Sequence, residues 1–114
     1  MMIDITAAPK NIYSRSVSPE NPTGGKGMGG MIPPEEGTQG RQARFLGLGW
    51  KTNPFIIIEP GETSVLADIR ASGVITHIWM TPACGEERSW RNLILRIYWE
   101  NSDVPSVEVP VADF

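Results

Sequence analysis

Cysteine, basic charge and long apolar runs are all scarce in this sequence of 114 residues. Cys84 stands alone, so one chain holds neither a disulfide framework nor a cysteine-based metal site. The formal net charge of −3 lacks the basic excess expected for binding to nucleic acid or to an anionic membrane. No apolar run approaches the roughly 18 residues that would cross a bilayer. We therefore expect no nucleic-acid partner, no membrane partner, no metal and no cofactor.

Two features typical of exported proteins, a secretory signal and a glycosylation site, are also not found in this sequence. The start, Met1-Met2-Ile3-Asp4-Ile5-Thr6, has neither the basic residues nor the apolar stretch of a secretory signal. Asn21-Pro22-Thr23 is no glycosylation acceptor, because proline occupies its forbidden middle position. Both observations favour a cytoplasmic location.

Glycine and proline, in contrast, are abundant, with 12 glycines and 10 prolines. Both residues disfavour helices, so a helical bundle is excluded. Twelve of these 22 residues fall within residues 1–44, and the run Thr23 to Gly30 holds five glycines. We predict a Gly/Pro-rich N-terminal arm or loop over residues 1–44 and a folded β domain over residues 45–114.

Short apolar runs separated by turn signals follow from residue 45 onward. Glu59-Pro60-Gly61-Glu62 and Asn101-Ser102-Asp103 are typical turns. Between the turns the pattern predicts five strands, at residues 55–58, 63–69, 74–81, 92–99 and 106–111. Such spacing indicates an all-β fold, an antiparallel β-sandwich or jelly roll. The fifth strand reaches Phe114 without a closing turn, so we expect an incomplete first half of a longer fold.

Two familiar sequence patterns, a glycine motif and paired acidic residues, are not assigned a function in this sequence. Gly25, Gly27 and Gly30 match a dinucleotide-binding pattern, but no strand precedes them and Pro33-Pro34 prevents the helix that must follow.

Retaining glycoside hydrolysis needs two carboxyl groups roughly 5 Å apart. Adjacent acidic side chains on extended backbone point to opposite sides, so Glu35-Glu36 is better explained as solvated loop charge. No catalytic pair is assigned.

His77 and Trp79 share one face of the third predicted strand, where two interpretations stay open. A lone histidine at such a position is commonly a hydrogen-bonded core residue. Beside a tryptophan it also suits a sugar site, since an indole face packs on a sugar ring and an imidazole bonds a hydroxyl.

Eight segments of the chain recur, in the same order, in one known family. They lie at residues 14–24, 48–51, 58–63, 66–69, 73–81, 95–99, 105–110 and 113–114. The most specific is Gly73-Val74-Ile75-Thr76-His77-Ile78-Trp79-Met80-Thr81. Over about residues 12–114 the chain resembles the N-terminal portion of glycoside hydrolase family 172, formerly a domain of unknown function.

The resemblance implies a double jelly roll that assembles into trimers or larger homo-oligomers. It also implies a retaining furanosidase that acts on α-D-fructofuranosyl or D-arabinofuranosyl linkages, so that a furanose-containing saccharide is the expected partner. The family's catalytic glutamates lie beyond the matched segment. We therefore carry over no catalytic residue and expect residues 1–114 alone to be inactive.

Five residues are expected to border the substrate, on the strength of this resemblance. Glu20, Asn21 and Thr23 would bind hydroxyl groups, while His77 and Trp79 would act as supports carried on a strand. Many members have an aspartate and Thr-Gly-Gly-Asn in the first motif, where this chain has Glu20 to Lys26. The family's common Gly-Asp-Phe-Phe differs too, because Ala112 precedes Asp113-Phe114 here.

A second functional class remains open beside the enzyme. The same strands would suit a non-catalytic β-sandwich that binds carbohydrate or assembles an oligomer. Coding sequence that continues in frame with more jelly-roll strands and paired glutamates would favour the enzyme. A stop codon after Phe114, with folded soluble protein, would favour the binding module.

Overall fold

The computed structural model describes residues 11–37, 43, 45–83, 85 and 89–114. The chain divides into two compact units, Met1–Ser72 and Gly73–Phe114. The division predicted between residues 44 and 45 stays a prediction. Cys84, for which neither a disulfide nor a metal site is expected, lies outside the described residues. None of the described helices has the length and apolar content needed to cross a membrane.

Regular secondary structure within the described residues belongs to the second unit. A single helical turn, α1 (Ser89–Asn92), precedes two strands, β1 (Ile94–Ile97) and β2 (Val107–Pro110), and a 3₁₀-helix follows at Val111–Asp113. The two strands form one antiparallel sheet. The described chain is therefore mostly non-helical, and its sheet corresponds to the last two predicted strands.

The hairpin places apolar side chains on one face of the sheet. Leu95 pairs with Val109 and Ile97 pairs with Val107, and all four are half-buried. The intervening residues of β1 are exposed, which confirms the alternation predicted for this strand. Cross-strand apolar pairs of this kind are the local unit of sheet stabilisation.

Charged pairs hold the other face and the ends of the hairpin. Arg96 Nε donates to Glu108 Oε2 at 2.5 Å from the directly opposite position on β2. This hydrogen bond is the main cause that raises the pKa of Arg96 above its ordinary value. Arg91 pairs with Asp113 at 2.8 Å, joining α1 to the 3₁₀-helix. Both pairs are exposed, so they specify register more than they add stability.

A tight turn lies inside the connection between the strands. Ser102 N donates to Trp99 O at 3.0 Å, and the two central residues, Glu100 and Asn101, have φ values of 53° and 55°. Positive φ at both central positions is the sign pattern of a type I′ turn. The predicted turn near residue 101 is confirmed, although its centre lies one residue earlier.

The other three predicted strands, at residues 55–58, 63–69 and 74–81, are not formed in the described structure. No described residue provides them with ladder hydrogen bonds, and a strand exists only beside a partner. The turn at Glu59–Glu62 is nevertheless confirmed, since Glu62 N donates to Glu59 O at 3.0 Å and Gly61 has a φ of 81°.

Apolar side chains along these segments remain accessible. No apolar side chain among the described residues is fully buried. The most exposed members of the three segments are Ile57, Val65, Val74 and Trp79. These three segments therefore have the apolar residues that one face of a β-sandwich needs. The described part of the chain provides no second sheet to cover them.

Hydrogen bonds, rather than an apolar core, organise the first unit. Thr52 is fully buried and its Oγ1 donates to Ile32 O at 3.1 Å. Gly49 N donates to Gly30 O at 2.8 Å. The segment 49–53 therefore binds the Gly/Pro-rich loop along several residues.

Among the described glycines, Gly37 makes the closest approach to another part of the backbone. A Cβ added at Gly37 would lie 2.3 Å from Thr52 O and 2.7 Å from Thr52 C. Backbone atoms at these distances leave no room for a side chain, so glycine is required here for packing.

Replacing Gly37 with alanine is therefore expected to destabilise the first unit. The loop must move away from Thr52, and overpacking of this kind costs about 1–3 kcal/mol. Urea denaturation and amide exchange at Gly49 measure the effect. Gly29→Ala is the matched control, since its Cβ would meet nothing within 4 Å. Equal stability of the two variants would contradict the close approach.

The type I′ turn yields a stabilising substitution. Glu100→Asn combined with Asn101→Gly places the preferred Asn-Gly pair at the two positive-φ positions. Relief of left-handed strain predicts a gain of about 1 kcal/mol in the free energy of unfolding. Asp103→Gly, outside those two positions, should lower stability instead. Thermal unfolding followed by circular dichroism distinguishes the two, and a lower melting temperature for the Asn-Gly variant would disprove the turn type.

Candidate functional site

The loop that carries Glu20, Asn21 and Thr23 is shaped by local hydrogen bonds. Ser18 and Asn21 form an isolated antiparallel bridge, in which Asn21 N donates to Ser18 O at 2.9 Å. Gly24 N then donates to Asn21 O at 3.1 Å, with a φ of 65° at Gly24. The Pro-Glu-Asn-Pro-Thr-Gly sequence thus folds into consecutive tight turns that hold three of the predicted site residues together.

The side chain of Asn21 makes two hydrogen bonds within this loop. Its Nδ2 donates to Gly25 O at 2.9 Å, and its Oδ1 accepts from Gly25 N at 3.0 Å. This two-way bond mimics a backbone pair and fixes the chain over four residues. Asn21 therefore maintains the loop shape.

Glu20 is the buried charged group of the first unit. Its side chain packs with a residue exposure of 9%, and Oε1 accepts a hydrogen bond from Asn53 N at 2.5 Å. Oε2 is shielded from solvent, and no described residue donates to it. A buried carboxylate oxygen without a donor is costly, so this atom stands out from ordinary loop charges.

Asn53 connects the loop to the segment that follows residue 49. Besides its backbone bond to Glu20, its Nδ2 donates to Pro19 O at 2.7 Å. Asn53 thereby holds two consecutive residues from 33 and 34 positions away in the sequence. Sequence reasoning missed this residue, because a lone Asn-Pro pair signals only a turn.

A cavity of about 110 Å³ lies against this loop. Its walls are formed by residues 20–23 together with Met28, Met31 and Ile32. Glu20 is the charged residue of this lining, and no basic side chain is among the lining residues. The lining combines the polar side chains of residues 20, 21 and 23 with an apolar wall, which suits a ligand that has hydroxyl groups and apolar carbons.

His77 and Trp79 belong to the second unit and occupy different environments. His77 lines an open groove of about 410 Å³, whose walls include residues 75–78, Ile97, Trp99 and Val107. Trp79 is not among the lining residues and is 73% exposed. The structure therefore groups Glu20, Asn21 and Thr23 in one place, but it does not pair the histidine with the neighbouring tryptophan.

Acidic residues and the histidine do not gather into a metal site in the described parts of the chain. No three His, Cys, Asp or Glu side chains there lie close enough to hold an ion.

Comparison with known proteins assigns the family. The family model described as GH172 domain-like matches residues 51–114, more than half of the chain. The chain therefore belongs to the GH172 domain-like family, which relates it to glycoside hydrolases and confirms the resemblance seen in the sequence. No curated protein and no solved structure matches it.

The range matched by the family model covers some of the candidate site residues and not others. It includes Asn53, His77 and Trp79, while Glu20 and the rest of its loop precede residue 51. The structure thus joins the family-matched segment to the glutamate loop through the hydrogen bonds of Asn53.

Asn21→Ala is expected to loosen the loop by removing both bonds to Gly25. Each such bond contributes about 0.5–1.5 kcal/mol, so the loop loses about 1–3 kcal/mol. Amide hydrogen exchange at Gly25 should accelerate, because its N–H loses the Oδ1 acceptor. Lys26→Ala, an exposed substitution one residue further, should leave that rate unchanged. Unaltered exchange at Gly25 in Asn21→Ala would show that the side chain does not hold the loop.

Proposed function

We propose that this chain is part of a retaining furanosidase and contributes walls of its substrate pocket. Membership of the GH172 domain-like family supports the relation to glycoside hydrolases. The sugar specificity and the retaining chemistry follow from the family resemblance. In the complete enzyme, two carboxyl groups would act by double displacement, one as nucleophile and one as acid and then base.

The observation that carries this proposal is the carboxylate of Glu20. One of its oxygens is held by a backbone amide, while the other has no donor among the described residues and the residue lines a cavity. A sugar presents hydroxyl donors, so the polar side chains that residues 20, 21 and 23 bring to the cavity wall suit a sugar site. A glutamate needed only for solubility would be exposed.

The five expected binding residues have different proposed roles. Glu20 and Thr23 offer oxygens at the cavity wall, and Asn21 preserves the loop that carries them. His77 offers an imidazole in the groove of the second unit. Trp79 presents an exposed indole on which a sugar ring could pack. None of these is assigned to bond cleavage.

The structural proposal is that the apolar segments become strands of a jelly roll in the complete homo-oligomeric enzyme. Val65 and Val74 are 78% and 81% exposed, which is unusual for predicted strand residues. Strand partners would cover these side chains and complete the ladders. The alternative is a non-catalytic β-sandwich for sugar binding or oligomer assembly, which these same exposed residues also support.

We expect the 114-residue protein to bind a furanoside without hydrolysing it. Titration with methyl α-D-arabinofuranoside should shift amide signals of residues 20–23 in a ¹H–¹⁵N NMR spectrum. Methyl α-D-arabinopyranoside, which has the same atomic composition, is the control and should shift them less. A parallel assay with an aryl α-furanoside should release no phenol.

The outcomes separate the two functions proposed. Turnover of the aryl furanoside by these residues alone would refute the assignment of the catalytic pair elsewhere. Equal shifts with both methyl glycosides would indicate a general carbohydrate-binding module. Absence of any shift would refute a sugar site at the Glu20 loop.

A further inference from the structure

The two outer edges of the β1–β2 hairpin can be distinguished by its hydrogen bonds. Val111 N donates to Leu93 O at 2.9 Å, one step beyond the pairing of Ile94 with Pro110. Hydrogen-bonded and non-hydrogen-bonded pairs alternate along an antiparallel ladder. The odd-numbered residues of both strands therefore bond across the hairpin, and the even-numbered residues direct their backbone groups outward.

The edge of β2 is closed to a further strand. Its outward residues are Glu108 and Pro110, and proline has no N–H to donate. The helical turn α1 packs against β2, and the pair of Arg91 with Asp113 at 2.8 Å joins α1 to the 3₁₀-helix. Proline on an outer strand is a common protection against pairing edge to edge.

The edge of β1 is open in the described structure. Ile94 and Arg96 each direct one N–H and one C=O outward, and no described residue bonds to these groups. Residues 75–78 instead border a groove with Ile97 and Val107, whose side chains lie on the apolar face of the sheet. A complete row of donors and acceptors is a template for another strand.

The sequence of β1 is complementary to itself in one antiparallel register. With Leu95 opposite Leu95 of a second copy, Ile94 lies opposite Arg96 of that copy. Both residues of this pair direct their backbone groups outward, so they exchange N–H and C=O bonds in both directions. On the apolar face, Ile97 then lies opposite Leu93, which is half-buried like Ile97 and Leu95.

The charged face excludes the neighbouring registers. A shift of two residues in one direction places Arg96 opposite Arg96 of the second copy, and like charges directly opposite destabilise a sheet. A shift in the other direction places Arg96 opposite Asn92, which belongs to α1 and not to a strand. In the remaining register Arg96 faces Ile94, and each Arg96 keeps its own Glu108 at 2.5 Å.

We propose that the free edge of β1 is a self-association surface, at which two copies of this chain pair their β1 strands antiparallel about a twofold axis. The two hairpins become one continuous sheet, with the β1 strands at its centre and β2 at both rims. Added strands stabilise a sheet that is marginal with two. Because Pro110 lies on both rims, the sheet ends there, and the twofold contact closes without growing into a fibre. This inference goes beyond the proposed function and does not depend on sugar binding.

Sedimentation and amide exchange of the 114-residue protein test this surface together. We expect a monomer–dimer equilibrium. Exchange at the Ile94 and Arg96 amides should slow about tenfold once about nine-tenths of the chains are dimeric, since exchange then requires dissociation. The Glu108 amide, outward on the other edge, is the internal control and should exchange at the same rate at every concentration.

Proline substitutions separate the two edges. Arg96→Pro and Glu108→Pro each remove one outward N–H and break the same ion pair, and neither N–H bonds across the hairpin. We expect Arg96→Pro to weaken dimerisation at least about tenfold, because it blocks the central edge. Glu108→Pro is the matched control and should leave the dimer dissociation constant unchanged.

A cysteine pair tests the register. In a Cys84→Ser background, Leu95→Cys places two thiols in a non-hydrogen-bonded pair, whose Cα atoms lie about 4.5 Å apart and allow a disulfide. Ile97→Cys is the matched control, since its counterpart would lie about 13 Å away along the strand. Oxidation should give a covalent dimer with Leu95→Cys and none with Ile97→Cys.

Other results overturn the inference in distinguishable ways. A monomer at every concentration would refute self-association, and protection of Ile94 and Arg96 in that monomer would assign the edge to a segment of the same chain. Equal dimerisation of the two proline variants would place the contact on another surface. Equal cross-linking of the two cysteine variants would refute the register. The sugar titration of residues 20–23 is independent of all these outcomes, so the proposed function is judged separately.

Discussion

The hydrogen bond from the Asn53 amide to the Glu20 carboxylate is the interaction on which the first unit depends. It joins a glycine-rich loop to a segment more than thirty residues later, in a unit without a buried apolar core. The bonds between Thr52 and Ile32 and between Gly49 and Gly30 follow the same segment. Because the loop has little apolar surface to bury, its conformation relies on such polar contacts.

This constraint also explains why the candidate site lies where it does. Holding Oε1 on a backbone amide directs one carboxylate oxygen to a fixed position and buries the other. The second oxygen has no donor among the described residues, and burying it costs stability.

The second unit shows which structural features the local sequence pattern predicts and which it does not. Alternation along residues 94–97 predicts the half-buried and exposed faces that the hairpin adopts, since the partner strand begins ten residues after Ile97. The segments at 55–58, 63–69 and 74–81 have equally good patterns but no ladder in the described structure. A pattern states which face would be apolar, whereas pairing requires a neighbour that the pattern does not contain.

Several features could be deduced from residue types alone. The turns at Glu59–Glu62 and near Asn101, the low helix content of the described residues, and the family all follow from local chemistry or from the order of motifs. Asn21 shows what residue types do not reveal, because its two bonds to Gly25 give it a role in the loop beside the ligand contact that the resemblance predicts.

The amino-acid sequence was sufficient for the turns, the hairpin faces and the family, because these depend on neighbouring residues or on recognisable segments. Tertiary structure decided that Asn53 holds Glu20, that Gly37 must lack a side chain, and that a small cavity lies beside the glutamate. These features depend on contacts between residues far apart in the chain. Such contacts arise from the way the backbone folds, and no local spacing encodes them.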